Sequence, residues 1–148
     1  MNERKHEAKC MEELRQGLLH AWLWKIRDIT TGGQPDLEVA WNGHTTKLEF
    51  KVLKGDETVQ DKWEDERQLV TLVRYEQQTQ RAWLVAWRPK HKDFPAATYI
   101  YRPTALLGGK VPPAKRCDTF YDLWNFGVAW WPEVRYDVVT DLIRTTHV

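Results

Sequence analysis

Residues 36–53 constrain the fold more tightly than any other stretch of the chain. Asp36 to Trp41 alternates, with Leu37 and Val39 on one side and Asp36 and Glu38 on the other. Lys47 to Leu53 alternates again, Leu48, Phe50 and Val52 against Lys47, Glu49 and Lys51. A period of two marks strands with one face turned to a core. Between the runs stands Asn42-Gly43, two residues that tolerate positive φ and so favour a two-residue hairpin turn. An antiparallel hairpin is predicted here.

The flanking sequence supplies both helices and strands. From Arg4 to about Trp24, Met11, Leu14, Leu18 and Trp22 form one stripe at helical spacing, widened by Leu19 and Ala21, which predicts an amphipathic helix. Lys25 to Ile29 reads as a short extended run, and Thr30-Thr31-Gly32-Gly33-Gln34-Pro35 as turn. Lys54-Gly55-Asp56-Glu57 breaks the second hairpin strand. A second helix is predicted from Thr58 or Gln60 to Gln78, with Leu69, Leu72 and Val73 on one face. Arg81 to Trp87, dense in Trp, Leu and Val, reads as a central strand buried on both faces. Thr98 to Tyr101 is the predicted fifth strand, followed by a turn of helix at Thr104 to Leu107. Gly108 to Pro113 reads as a linker, Phe120 to Trp131 is aromatic-rich without a clear assignment, and Asp137 to Thr145 is a predicted terminal helix. The order of elements gives a small mixed α/β domain, and 148 residues leave no room for two independent cores.

Charge and composition narrow the classes of function. The 22 Lys and Arg nearly balance the 21 Asp and Glu, so any contact with nucleic acid must come from local placement of cations. Cys10 and Cys117 are too few for a disulfide framework or a thiolate metal site; His6, His20 and His147 are too scattered for zinc, His44 sits exposed beside the hairpin Gly, and His91 belongs to the basic loop. No run of 18 apolar residues is present, and the charged opening Met1-Asn2-Glu3-Arg4-Lys5 lacks the apolar segment of a secretory signal. A cytoplasmic protein without a membrane segment is the expectation.

The chemistry concentrates on the hairpin. Glu49 and Lys51 share the polar face of one strand, and Asp36 opens its neighbour. One Asp and one Glu carboxylate can then converge on a hard divalent cation, whose preferred ligands are oxygens. The Lys51 ammonium can hold an attacking water or neutralise charge gathering on a phosphate. These are the parts that phosphodiester hydrolysis requires.

Pro35-Asp36, the twelve residues that follow, and Glu49-Phe50-Lys51 resemble the PD-(D/E)XK nuclease superfamily, with the texture nearest to RecU-like and archaeal-type Holliday-junction resolvases, VRR-type nucleases and small phage nucleases. The resemblance covers about Met11 to Tyr101. It implies a restriction-endonuclease-like fold, a mixed central sheet flanked by helices, with Mg²⁺ or Mn²⁺ on Asp36 and Glu49. It further implies a Glu from the first helix, for which Glu12 and Glu13 are the nearest candidates and Glu7 a third. Gln68, in Glu66-Arg67-Gln68-Leu69, falls roughly where such nucleases place a Gln that positions the lysine or the water. The implied activity is metal-dependent hydrolysis of DNA, with branched or junction DNA as the candidate substrate and a homodimer as the form that cuts two strands symmetrically. Lys54, Arg67, Lys90, Lys92 and Arg102 are the candidate DNA contacts.

Plainer readings stand beside these. Asp36, Glu49 and Lys51 also fit a solvated strand face with cross-strand ion pairs, Gln68 a surface amide, and the basic loop Arg88 to Lys92 a solubilising segment. The chain then divides into residues 1–107, the nuclease-like domain, and 108–148, an aromatic-rich extension packed on it. Of the nine tryptophans, Trp83 and Trp87 read as core and Trp22 as part of the first helix's stripe. Trp124, Trp130 and Trp131 read as an interface for a protein partner, a stacking platform or extra core. A nuclease-fold protein that binds a partner or DNA without catalysis, and a structural or assembly protein with an accidental motif, are the alternatives.

Overall fold

The hairpin forms as its alternation requires. The computed structural model describes residues 3–26, 36–59, 66–107 and 120–146. Strands Leu37–Trp41 (β2) and His44–Val52 (β3) pair antiparallel, and Asn42 (φ 51°) and Gly43 (φ 81°) make the turn between them, the backbone that matches strand twist. Upstream lie helix Glu3–Gly17 (α1) and strand Trp22–Lys25 (β1). Downstream come helix Glu66–Thr79 (α2), strands Ala82–Arg88 (β4) and Ala97–Tyr101 (β5), a 3₁₀ turn at Pro103–Leu106, helix Tyr121–Phe126 (α3), strand Val128–Trp131 (β6) and helix Asp137–Thr146 (α4).

The strands form one sheet in the order β1-β2-β3-β4-β5-β6. β3 and β4 run parallel and every other neighbouring pair antiparallel, so the sheet is mixed and the fold is α/β with helices on its faces. A parallel pair needs a crossover, and the segment carrying α2 supplies it. The Tyr75 hydroxyl donates to the Thr45 carbonyl at the start of β3, 3.1 Å away.

Both faces of the sheet are covered. On one, Leu48, Phe50, Val52, Val85 and Trp87 meet Cys10, Leu14 and Leu18 from the α1 region and Val138, Leu142 and Ile143 from α4. On the other, Leu84, Ala86 and Tyr101 pack with Leu53, Val59, Leu69 and Leu106. Ala82 to Trp87 are all buried, as expected for the middle strand of a doubly covered sheet. β6 completes the sheet against β5, and Trp131 is buried in the first core.

Three expectations are corrected or completed. The first helix ends at Gly17, not near Trp24, and Trp22 lies on a strand. The chain turns at Leu18 to Ala21, where His20 takes φ 62°, and Arg144 of α4 donates to the Gly17 carbonyl at the helix end. The second helix begins at Glu66 among the described residues, and Thr58 and Val59 are not helical; residues 60–65 lie outside the described set, as do the turn at 30–35 and the linker at 108–113. The aromatic stretch Phe120–Trp131 resolves into α3 and β6. The alternative of a solvated strand face does not hold at Glu49, which is 1% exposed.

Candidate metal centre

β2 and β3 part immediately beyond their Leu37–Leu48 pair, and the site is built at that opening. Asp36 stands one residue outside the ladder. Its Oδ2 accepts the Phe50 N–H at 2.8 Å, so the carboxylate fills the place the next backbone acceptor would take and is fixed beside Glu49. The alternation that sends Phe50 into the core turns Glu49 and Lys51 the opposite way, and the Lys51 ammonium lies 3.6 Å from Glu49 Oε1.

α1 delivers two more carboxylates. Glu3 and Glu7 are four residues apart, one above the other on the helix, and with Asp36 they offer ligand oxygens that all lie within 4.8 Å of one another. Glu7 is buried and paired with Lys25 of β1 at 3.2 Å.

The electrostatics follow from crowding acids in a partly dry place. Burial pushes Glu49 up to about 10, with the Asp36 charge and a hydrogen bond to Asp36 adding to it, Lys51 opposing and Glu3 adding again. Burial likewise raises Glu3 to about 7, reinforced by Asp36 and Glu7 and opposed by Lys51. Glu7 is raised by burial and Asp36, against the pull of Lys25. These carboxyls hold protons at pH values where a solvated acid would not. Among the described residues no donor reaches Glu49 Oε2, and a buried acceptor without a partner is costly. A divalent cation answers both features: it supplies positive charge to the crowded acids and a partner for the orphaned oxygen.

The placement of the other expected site residues is mixed. Asp36, Glu49 and Lys51 converge. Glu12 and Glu13 do not join them; both are exposed, and Glu12 instead accepts from the Gln16 amide at 3.4 Å. The reason is helical rotation: at about 100° per residue, positions 12 and 13 lie well off the face of position 7. Glu3 is not among the ligand candidates that the sequence offers and Glu7 is only the third, although the apolar stripe holds the signal. Leu14 and Leu18 continued back through Cys10 lead to Glu7 and then Glu3, acids placed on a core-facing line.

Gln68 is half-buried on α2. Lys54 and Arg67 are exposed, as are Lys90 and Lys92 in the β4–β5 loop. Arg102 is engaged within the fold, 3.3 Å from the buried Glu76 carboxylate, which also accepts from Thr104 N–H at 2.9 Å and the Thr104 hydroxyl at 2.7 Å. No helix among the described residues is long and apolar enough to cross a membrane.

No family model matches this chain, and no curated protein matches it. A solved structure similar to it is Hjc of Archaeoglobus fulgidus, a Holliday junction resolvase from an archaeal hyperthermophile. The two share 13% identity at a TM-score of 0.46, over 70% of this chain and 79% of that one.

Proposed function

We propose that this protein is a metal-dependent deoxyribonuclease of the PD-(D/E)XK type that hydrolyses DNA phosphodiester bonds, with branched or junction DNA as its candidate substrate. One observation carries the reading: Asp36 shares a cluster of ligand oxygens with Glu3 and Glu7 of the first helix, and the buried Glu49, coupled to Asp36 and paired with Lys51, lies beside it where two strands separate.

The donor set is all oxygen, which suits Mg²⁺ or Mn²⁺. Asp36 and Glu49 would hold the ion, with Glu7 or Glu3 as the helix ligand. When bound, such an ion polarises a phosphate oxygen and lowers the pKa of a water at neutral pH. The chain's own groups do the rest. The Phe50 N–H fixes the Asp36 carboxylate through Oδ2, so the group costs little to orient when a substrate arrives. Lys51 is held over Glu49 and faces the place where a phosphate would gather negative charge. Gln68, half-buried in the first turn of α2, would position the lysine or the attacking water. Lys54, Arg67, Lys90 and Lys92 would contact phosphates, and a homodimer would let two centres act on two strands. Arg102 would contribute less, since Glu76 already engages it.

The experiment is cleavage of linear duplex, single-stranded, flapped and four-way DNA in Mg²⁺ or Mn²⁺. Cutting is expected in the wild type and lost in Asp36→Ala, Glu49→Ala, Lys51→Ala and Glu7→Gln proteins that retain the wild-type circular dichroism, while Glu12→Ala with Glu13→Ala is expected to stay active. Absence of cutting on all four substrates with both metals would overturn the proposal. Binding of a partner or of DNA that needs no metal and ignores Lys51→Ala, in a protein that cuts none of the four substrates, would instead favour a nuclease fold used only for binding.

A further inference from the structure

Two tryptophans stand in solvent on the free edge of the sheet. Trp22 is 69% exposed and Trp24 61%. They are two apart on β1, so both project from the same face, and no strand among the described residues pairs with the outer edge of β1. Two such side chains left in water need a reason that fold stability does not provide.

The sheet register says what lies beside them. Trp24 is opposite Glu38, which is opposite Lys47; Trp22 is opposite Ala40 and then Thr45. The aromatic pair therefore shares a face with Lys47, and two residues further along β3 with Glu49. Lys47 lies over the Tyr75 ring, 4.8 Å from its centroid, and is ion-paired with Glu38 at 3.0 Å. Two strand spacings and one two-residue step separate Trp24 from Glu49, roughly 12 Å. The platform, Lys47 and the candidate metal centre thus lie within reach of one short oligonucleotide.

We propose that Trp22 and Trp24 form a stacking platform for unpaired bases of a nucleic-acid strand whose backbone passes Lys47 toward the metal centre. Base stacking on exposed aromatic rings beside cations is the usual means of holding single strands without reading sequence. The two side chains are about 6.7 Å apart along the strand, twice the ~3.4 Å rise of a duplex strand, so they match bases drawn out of a stack rather than bases within one. A second copy of the chain fits less well. The two rings offer about 300 Å², against the roughly 800 Å² per partner of a stable interface, and β1 is only four residues long. The inference rests on the nuclease reading only for what the bound strand is presented to.

The test measures binding apart from cutting. Fluorescence anisotropy of a labelled oligothymidylate, in EDTA at fixed low salt, is compared for the wild type, Trp22→Ala/Trp24→Ala, Trp22→Tyr/Trp24→Tyr and a Trp124→Ala control. The double alanine protein should bind at least tenfold more weakly, the tyrosine protein should keep most of the affinity, and the control should match the wild type. Equal affinity in wild type and double alanine, or no binding by the wild type, overturns the platform. A wild-type dimer that becomes monomeric in the double alanine protein also overturns it, by assigning the rings to a second copy. The two proposals fail separately: metal-dependent cutting with unaltered oligothymidylate affinity in the double alanine protein removes the platform alone, and Trp-dependent binding without cutting removes the nuclease reading alone.

Discussion

Glu49 carries the largest conflict between stability and use. Unfolded, it titrates at its ordinary value of 4.5; folded and metal-free, it holds its proton up to about pH 10 because of burial and Asp36. Unfolding across that window releases a proton, so this group makes the metal-free protein progressively less stable as pH rises from 4.5 to 10. Glu49→Gln keeps the shape of the neutral acid and a donor toward Asp36. At pH 8 without metal it should melt above the wild type by a few degrees, on a scale of about 2–4 °C per kcal/mol. The wild type should gain thermal stability on adding Mn²⁺, and the variant should not. Thermal melts with and without Mn²⁺ check both halves. Asp36, Glu49 and Lys51 were legible in the sequence because strand alternation alone puts them together. The helix acids were not, since a Glu in the first turns of a helix is ordinary on dipole grounds, and only the line through Cys10, Leu14 and Leu18 sets Glu3 and Glu7 apart.

Among the elements, α1 shows most clearly how contacts far along the chain override local pattern. The apolar spacing of Met11, Leu14, Leu18 and Trp22 extends past the point where the helix stops, and nothing nearby in the sequence reveals that α4 lies against Gly17. A Cβ on Gly17 would come 2.5 Å from Thr140 Cγ2 and 3.2 Å from an Arg144 guanidinium nitrogen. In an exposed helix Gly→Ala stabilises by about 1 kcal/mol. Here Thr140 is buried and cannot move aside, so the clash, typically about 1–3 kcal/mol, should prevail. Gly17→Ala is expected to lower the urea midpoint; a rise would show that α1 and α4 do not meet at this residue. The hairpin is the contrasting case. Its turn, register and core face were legible because all three depend on residues close in sequence, whereas β6 and α3 depend on partners elsewhere, Tyr99 and Ile100 on β5 for β6 and Trp83 on β4 for α3.

For the whole molecule, residues 120–146 are part of the fold. β6 closes one edge of the sheet, and Val138, Val139, Leu142 and Ile143 fill the core that α1 also faces. A chain ending at Leu107 should therefore lose cooperative unfolding and become sensitive to protease, even though the nuclease-like motif lies entirely within it. A protease-resistant 1–107 fragment with a sharp thermal transition would contradict this. The near balance of charge across the chain, +1 in total, concentrates the functional claim on one place, the opening between β2 and β3. The most direct test of that claim is the anomalous signal from Mn²⁺ soaked into crystals of the protein. A peak is predicted about 2.0–2.3 Å from oxygens of Asp36 and Glu49, with Glu7 or Glu3 completing the set. A fully occupied peak elsewhere, or none at this opening under conditions that saturate other Mn²⁺ sites, would contradict the assignment of a metal centre.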